Sequence, residues 1–340
     1  MKIKSRLFIS MLTATIIFSC SKNDNNNNNK IPDEDPDIYL VGFGDYEDNP
    51  EPVAKYWENG VLTILTSGHY GDEPNDIYVD ENDDVYIVGY AENYDTDYST
   101  AILWKNGEAT DLSDGANHAR AHSVFVYEKD IYVAGYEDNG SEDVATYWKN
   151  GVPTSLTDGS NKAEAYSIYV TNNDVYVSGY EYIGNSEVAK YWKNGVETIL
   201  ADEANANSIY ATNNDVYVAG TDYGGSGAVA TYWKNGVAMY LTTDGVSSQA
   251  NDIYVNGDDV YVSGGLKGEP AYWKNAIPAI MIDSDNSIIK STTAKSIMVH
   301  NDDIYISGHY TNSQGKIAVY WKNGEMVELS KGEATSIFVK

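Results

Sequence analysis

Cysteine, arginine and long apolar runs are scarce in this sequence, and each shortage limits the structures or functions that the chain can have. Cys20 is the only cysteine among 340 residues, so no disulfide can form within the chain. The 22 lysines and arginines face 51 acidic residues, which gives a net charge of −29. A field of that sign repels the phosphates of nucleic acids and anionic lipids. We therefore expect an acidic protein that binds no nucleic acid and meets a membrane only through a lipid anchor.

The one apolar-biased run, Leu7 to Phe18, is too short to span a bilayer and follows Lys2, Lys4 and Arg6. That pattern is typical of a secretory signal peptide. The letters IFSC, ending at Cys20, resemble the bacterial lipobox, and the resemblance implies acylation of Cys20, with palmitate among the acyl chains. We predict a signal peptide over 1–19, a lipidated cysteine and disordered Asn-rich tether over 20–36, and a surface-exposed outer membrane lipoprotein.

A repeated phrase built around tryptophan dominates the rest of the chain. All seven tryptophans precede Lys-Asn-Gly or a close variant of it: Trp57, Trp104, Trp148, Trp192, Trp233, Trp273 and Trp321. Their spacings of 40 to 48 residues match those of four-stranded propeller blades. Asn-Gly between two apolar strands predicts a tight hairpin. The sequence therefore predicts an all-β, seven-bladed β-propeller over residues 37–340, with four antiparallel strands per blade.

Three details refine this prediction. Blade 6 has Asn275-Ala276 in place of Asn-Gly, so we expect a different or a strained turn there. A glycine recurs near the end of each second strand, as in Gly179, and we interpret it as space for the tryptophan of the same blade. The first unit lacks a first strand, whereas the chain ends in TSIFVK (335–340), which matches the missing piece. The C-terminal strand should therefore close blade 1.

The repeat unit, written A-x-S-I-x-V, N-D-V-Y-V-x-G-Y and Y-W-K-N-G, resembles bacterial extracellular repeats of the HAF type and, more loosely, kelch-like propellers. The resemblance covers about residues 37–340. It implies a propeller fold and an extracellular setting. It brings no biochemical activity, so the function has to be argued from the residues.

Two of the four connections in each unit vary in length, and in a propeller both emerge on one face, here called the variable face. Binding sites favour variable loops on a rigid scaffold. Eight tyrosines outside the repeat positions fall there: Tyr46, Tyr70, Tyr94, Tyr98, Tyr166, Tyr182, Tyr223 and Tyr310. Tyrosines beside short polar side chains are suited to carbohydrates, because rings stack on sugar C–H faces. The alternative is that they pack against their own loops.

Histidines also map to the variable face. His118, Arg120 and His122 alternate in HARAH, so in an extended segment they share a side, and His309 ends a blade 7 strand. Such groups suit a carboxylate, a transition metal or proton abstraction in a lyase.

The residue two before each first-strand Ile or Val also varies, giving a polar ring that is either a ligand mouth or a set of backbone caps. Its members are Asn75, His122, Tyr166, Asn207, Asn251, Lys295 and Thr335.

Sequence signals for metals and cofactors are weak. DSDNS (283–287) and YDTD (94–97) lack the full spacing of a calcium loop, and no phosphate loop, nucleophile elbow or zinc motif is present. We predict no metal and no cofactor. The favoured function is a noncatalytic binding module for a carbohydrate, in a protein expected to be a monomer. The alternatives are a scaffold for an envelope protein complex and a lyase that uses the His and Arg cluster.

Overall fold

The computed structural model describes residues 35–45, 52–67, 70–93, 95–243, 245–281 and 291–340. The described residues form seven four-stranded antiparallel sheets, which confirms the predicted seven-bladed propeller. No helix among them is long and apolar enough to cross a membrane. The predicted signal peptide, Cys20 and most of the tether lie outside the described residues.

The strands of the first four blades in chain order are β1 Ile38–Gly44, β2 Val53–Glu58, β3 Val61–Ile64, β4 Tyr70–Val79, β5 Val85–Asn93, β6 Tyr98–Lys105, β7 Glu108–Asp111, β8 Ala119–Tyr127, β9 Asp130–Asp138, β10 Asp143–Lys149, β11 Val152–Ser155, β12 Ala163–Thr171, β13 Asp174–Ile183, β14 Ser186–Lys193 and β15 Val196–Asp202. The remaining strands are β16 Ala204–Ala211, β17 Val216–Asp222, β18 Val229–Lys234, β19 Val237–Tyr240, β20 Ser248–Asn256, β21 Asp259–Leu266, β22 Glu269–Lys274, β23 Ile277–Ile280, β24 Ser291–His300, β25 Asp303–Asn312, β26 Gly315–Lys322, β27 Glu325–Lys331 and β28 Glu333–Val339.

Blade 1 is closed by the C-terminal strand, as predicted. Its strand order is β28-β1-β2-β3, whereas each other blade uses four consecutive strands. Leu40 of β1 lies opposite Ile337 of β28. Ile337 is buried in a cluster with Trp57 and with Tyr305 of blade 7. The last strand therefore supplies an edge of one sheet and part of the core between the first and last blades.

The hydrophobic core lies between adjacent blades. All seven tryptophans are at most 1% exposed. Trp148 of blade 3, for example, packs with Tyr86, Val88 and Leu103 of blade 2. Each blade therefore buries its tryptophan against the preceding sheet, and no blade forms a complete core alone.

The Lys-Asn-Gly phrase builds the face opposite the variable one. In blade 4, Asn194 (φ 51°) and Gly195 (φ 79°) form the tight turn. The Asn194 side chain accepts the Val175 N–H at 2.8 Å and donates to Asp174 at 2.7 Å. Lys193 pairs with the same aspartate at 2.8 Å, and the matching ion pair recurs in blades 2, 3, 5, 6 and 7. The phrase is thus accounted for by structure.

The recurring strand glycine has a different cause from the one expected. A Cβ at any of the seven positions would lie only 1.8–2.1 Å from a backbone carbonyl oxygen of the first strand. At Gly179 that oxygen belongs to Glu164, and no tryptophan is among the nearest atoms. At Gly308 the ring of Trp321 is also close, at 3.0 Å, but the carbonyl of Thr293 is nearer. At Gly220 the ring of Trp233 is close as well, at 3.1 Å. Backbone approach is therefore the main requirement, and our interpretation based on tryptophan is supported at Gly220 and Gly308 only.

Deleting residues 334–340 should abolish the cooperative unfolding transition and cause aggregation. The deletion removes buried Ile337 and Val339 and leaves β1 as an unpaired edge. Thermal unfolding and size-exclusion chromatography would measure the effect, with deletion of exposed Lys340 alone as the control. An unchanged melting temperature in the longer deletion would show that the ring does not need this strand.

Replacing Ala276 with glycine should stabilise the protein by about 1 kcal/mol, because a left-handed conformation strains any residue with a Cβ. Ala276 has φ 64°, where six other blades place glycine in the equivalent turn. Urea unfolding would measure the change. Gly195→Ala is the matched control and should destabilise the protein by a similar amount. If Ala276→Gly destabilised the protein as much as Gly195→Ala does, the turn at Ala276 would not be strained.

Candidate functional site

A polar cavity of about 300 Å³ lies where the central channel opens on the variable face. Two rings of side chains line it, with one member of each ring from every blade. The mouth ring consists of Asn75, His122, Tyr166, Asn207, Asn251, Lys295 and Thr335. The serine ring, one residue further along each first strand, consists of Asp76, Ser123, Ser167, Ser208, Asp252, Ser296 and Ser336.

The mouth ring owes its position to a β-bulge repeated in every first strand. The register between first and second strands shifts at each of these residues, as between Ala121 and Ser123 around His122 and between Ala165 and Ser167 around Tyr166. A bulge re-aims the extra residue out of the regular ladder. The seven bulged side chains therefore converge on the channel axis.

The serine ring ties neighbouring blades together. Ser167 of blade 4 accepts the N–H of Ile209 in blade 5 at 3.2 Å. Asp76 of blade 2 accepts the N–H of Val124 in blade 3 at 2.9 Å and the hydroxyl of Ser336 in blade 1 at 2.7 Å.

Asp252 does the same for blades 5 and 7, through the hydroxyl of Ser208 at 2.6 Å and the N–H of Ile297 at 2.8 Å. Burial raises the pKa of both Asp76 and Asp252, and these hydrogen bonds oppose the shift.

A belt of large side chains surrounds the channel beneath the serine ring. Its members are Tyr78, Phe125, Tyr169, Tyr210, Tyr254, Met298 and Phe338. Neighbouring rings from Phe338 round to Tyr254 lie 4.5–5.4 Å apart between centroids. The polar cavity is lined by the two upper rings, and no member of this belt borders it.

Four members of the mouth ring also bond to the next blade. The side-chain amides of Asn75, Asn207 and Asn251 donate to the carbonyls of Ala121, Ala250 and Ala294 at 2.8, 2.8 and 2.6 Å. The hydroxyl of Thr335 donates likewise to Pro74, at 2.9 Å. These four residues satisfy backbone oxygens, which is the capping role weighed above.

The other three members, His122, Tyr166 and Lys295, make no such bond within the described chain. His122 and Tyr166 are neighbours, with ring centroids 5.4 Å apart. Lys295 lies on blade 7, and its ammonium forms no hydrogen bond or ion pair with any described residue. Three positions of the mouth ring thus present an imidazole, a phenol and an ammonium to the cavity. At the other four positions a smaller residue, asparagine or threonine, joins two blades.

Glu164 anchors the imidazole from the adjacent blade. Its carboxylate lies 3.4 Å from His122 Nε2 and 3.1 Å from Lys162 Nζ, and it accepts the Tyr180 hydroxyl at 2.7 Å. Although burial raises the pKa of Glu164, these partners, led by His122, lower it to about 2. The carboxylate is therefore ionised across the physiological range, and it lies beside the buried Nε2 atom of the imidazole.

The structure separates the residues of HARAH. His118 accepts the Ser99 N–H at 3.1 Å and meets the ring of Tyr98 edge-on. Arg120 lies over the Tyr90 ring at 3.9 Å and pairs with Glu92 at 2.9 Å. Only His122 borders the cavity, so the three do not converge on one ligand group.

The predicted tyrosines have unequal surroundings. Tyr98 and Tyr223 are 37% and 41% exposed, and Tyr182 is partly buried against Tyr180. Tyr46 and Tyr94 lie outside the described residues, as do the DSDNS segment and the side chain of Tyr70. Tyr166 alone among them lines the cavity.

His309 and Tyr310 are part of the interior, which corrects the expectation that Tyr310 is exposed. They are 8% and 6% exposed, and Tyr310 donates to Glu328. His309 Nδ1 lies 3.4 Å from Glu333 of the closing strand, and burial lowers the pKa of His309 to about 4. Neither side chain is available to a ligand in the cavity.

The sequence identified the seven residues of the mouth ring but did not distinguish those that bond to a carbonyl of the next blade from those that do not. Lys295 was not proposed as a site residue, although it breaks the Asn pattern of Asn75, Asn207 and Asn251. That departure is a signal visible in the sequence once the repeats are aligned. The two aspartates of the serine ring carried no comparable signal, because a serine or an aspartate accepts the same N–H group.

Comparison with known proteins supports the fold and leaves the family open. No family model and no curated protein matches the sequence. The chain is similar to a solved prolyl endopeptidase, with 11% identity and a TM-score of 0.55 over 90% of this chain and 50% of that one. It is also similar to a Trypanosoma rangeli sialidase, with 11% identity and a TM-score of 0.46 over 85% and 57%. This chain therefore spans about half the length of these two enzymes.

A fucose lectin from Kordia zhangzhouensis is matched with 12% identity and a TM-score of 0.30, over 36% of this chain and 95% of that one. At 11% identity the likeness to the prolyl endopeptidase shows a shared fold alone. The chemistry of the site must therefore be argued from its own residues.

Replacing His122, Tyr166 or Lys295 singly with asparagine should raise the free energy of unfolding by about 0.5–1 kcal/mol, since each new amide gains a carbonyl partner on the next blade. Denaturant unfolding would measure it. Asn251→Ala is the control and should lower stability, because it leaves the Ala294 carbonyl without that donor. If all three asparagine variants were less stable than the parent, the conclusion that the residues at these positions give up a bond between blades would be wrong.

Proposed function

We propose that the protein is a noncatalytic binding module that holds a carbohydrate in the cavity at the channel mouth. The observation that carries this proposal is the replacement of the joining residue by His122, Tyr166 and Lys295 at three of seven equivalent bulges. Residues that break a structural rule of their own fold, at a cost in stability, are characteristic of functional sites. No other group of described side chains combines such a departure with a cavity.

The lining of the cavity fits a hydroxyl-rich ligand. The three mouth-ring asparagines use their N–H groups on the next blade and leave carbonyl oxygens for ligand hydroxyls. Tyr166 offers a ring edge or face to sugar C–H groups, and Lys295 offers donors. A volume of about 300 Å³ stands at the lower end of small-molecule sites, which run from roughly 300 to 1,000 Å³. One sugar unit is the appropriate scale.

The cellular setting belongs to the same proposal. The residue pattern through Cys20 supports a lipid-anchored protein of the outer membrane, and the HAF-type resemblance supports an extracellular position. An outward-facing propeller on a tether would present its mouth to polysaccharides around the cell. An envelope protein remains the alternative partner, and it becomes the better proposal if no polysaccharide binds.

A lyase is the second candidate, because His122 and Tyr166 adjoin in the cavity. In such a reaction a base takes the proton beside the carboxylate of a uronic acid, the glycosidic C–O bond breaks, and the leaving oxygen receives a proton from an acid. The products are an unsaturated sugar and a shortened chain. The expected cluster with Arg120 is not available for this chemistry, since Arg120 is paired on blade 2.

Affinity electrophoresis of the purified protein on a broad polysaccharide panel tests the proposal, with product analysis by absorbance of unsaturated sugars. We expect retardation by at least one polysaccharide without product, and its loss in His122→Ala, Tyr166→Ala and Lys295→Ala. Val196→Ala, at an exposed position of an outer strand, is the control and should behave as the parent. Unsaturated products would favour the lyase, and no retardation on any polysaccharide would contradict carbohydrate binding.

A further inference from the structure

Blade 6 lacks a side chain where other blades carry one beside the mouth. The residue after the recurring strand glycine is Phe43, Tyr90, Tyr136, Tyr180, Thr221 and His309 in the other six blades. In blade 6 it is Gly265. These residues pair across the sheet with the first strand just above the mouth ring, as Gly265 does with Gln249. Blade 6 is therefore the only blade without a side chain at this position.

The backbone does not require glycine at Gly265. Its φ lies outside the left-handed region, and a Cβ there would meet only the Glu269 carbonyl oxygen, at an ordinary 3.8 Å. The preceding Gly264 is different, because its Cβ would lie 1.9 Å from the Gln249 carbonyl. What Gly265 contributes is the absence of a side chain.

A short hairpin opens the same place further. From the strand glycine to the tryptophan there are 9 residues in blade 6, against 13 to 15 in the other blades. The hairpin between β21 and β22 turns at Lys267 and Gly268, with φ of 56° and 85°. Blade 6 thus forms the lowest wall around the mouth in the described part of the chain.

Together these features leave a groove of about 330 Å³ between blades 6 and 7. Asn251 lines both the groove and the mouth cavity, so the two spaces adjoin at this residue. The other walls of the groove carry Gln249, Ser291 and Thr293, and Glu269 is the one charged residue among the described residues that line it. The lining therefore suits neutral, hydroxyl-rich units of the same chemistry as the mouth.

We infer that the ligand is a linear saccharide recognised by its end, with the terminal unit in the mouth cavity and the following units in the groove between blades 6 and 7. The inference rests on the proposed function, because it extends the same site. The two rings surround the cavity laterally, and the cavity opens outward on the variable face. The groove beside Gly265 gives a chain whose end lies in the cavity a path along the surface between blades 6 and 7.

Gly265→Tyr tests this inference, since it installs the side chain that blades 2, 3 and 4 carry there. For the saccharide series that binds the parent best, isothermal titration would compare the monosaccharide with its di-, tri- and tetrasaccharides. We expect affinity to rise with length in the parent. In the variant we expect the affinity for the longer saccharides to fall by at least about tenfold, because one subsite is lost. The affinity for the monosaccharide should not change.

Gly265→Ala is the matched control, because it adds a Cβ without filling the groove, and it should keep the affinity of the parent. Gln249→Trp, from an exposed position on the facing strand, blocks the groove independently if Gly265→Tyr lowers the melting temperature. Equal affinity for all lengths in the parent, or an unchanged length dependence in both blocking variants, would overturn the inference while leaving the mouth site intact. Failure of every saccharide to bind the parent would instead remove the proposed function.

Discussion

The fold depends on one local constraint, the β-bulge in every first strand at the channel mouth. A bulge interrupts the ladder, and the backbone groups beside it need partners, because unpaired buried N–H and C=O groups are costly. In this propeller the neighbouring blade supplies them. Asn207 reaches the Ala250 carbonyl, and Ser167 accepts the Ile209 N–H. The same bulge brings the Glu164 carbonyl against the second strand, where only Gly179 leaves room. The bulge thus connects the recurring glycines, the serine ring and the joining of adjacent blades.

That constraint also explains why the candidate site lies where it does. A bulged residue points at the axis whether or not it joins two blades, so a substitution there changes the cavity without altering the sheet. His122, Tyr166 and Lys295 give up the hydrogen bond to a backbone carbonyl of the next blade and line the cavity. His122 still meets the next blade through Glu164, at 3.4 Å. The serine ring beneath them continues to hold neighbouring blades together. The site can therefore vary in chemistry while the ring stays closed.

Much of the architecture could be predicted from sequence because its signals are local. Trp-Lys-Asn-Gly fixes a turn by backbone conformation alone, and TSIFVK matches the strand that the first unit lacks. The reason for Gly179 could not be predicted, because it depends on a carbonyl that only the bulge brings close. Alternation in HARAH could not predict the bulge that re-aims His122, nor that the partners of the three side chains come from two other blades. By sequence, His309 ends a strand and Tyr310 belongs to a loop, yet β25 runs on to Asn312 and carries both into the core.

The central claim is that the mouth ring divides into residues that join blades and residues that serve a ligand. Alanine at each of its seven positions, with unfolding free energy and saccharide affinity measured on every variant, tests that division most directly. The account predicts that alanine at Asn75, Asn207, Asn251 or Thr335 costs about 1 kcal/mol of stability and weakens binding without abolishing it. Alanine at His122, Tyr166 or Lys295 should abolish binding and cost less stability. Losses of binding spread evenly over all seven positions, or confined to the first four, would contradict it.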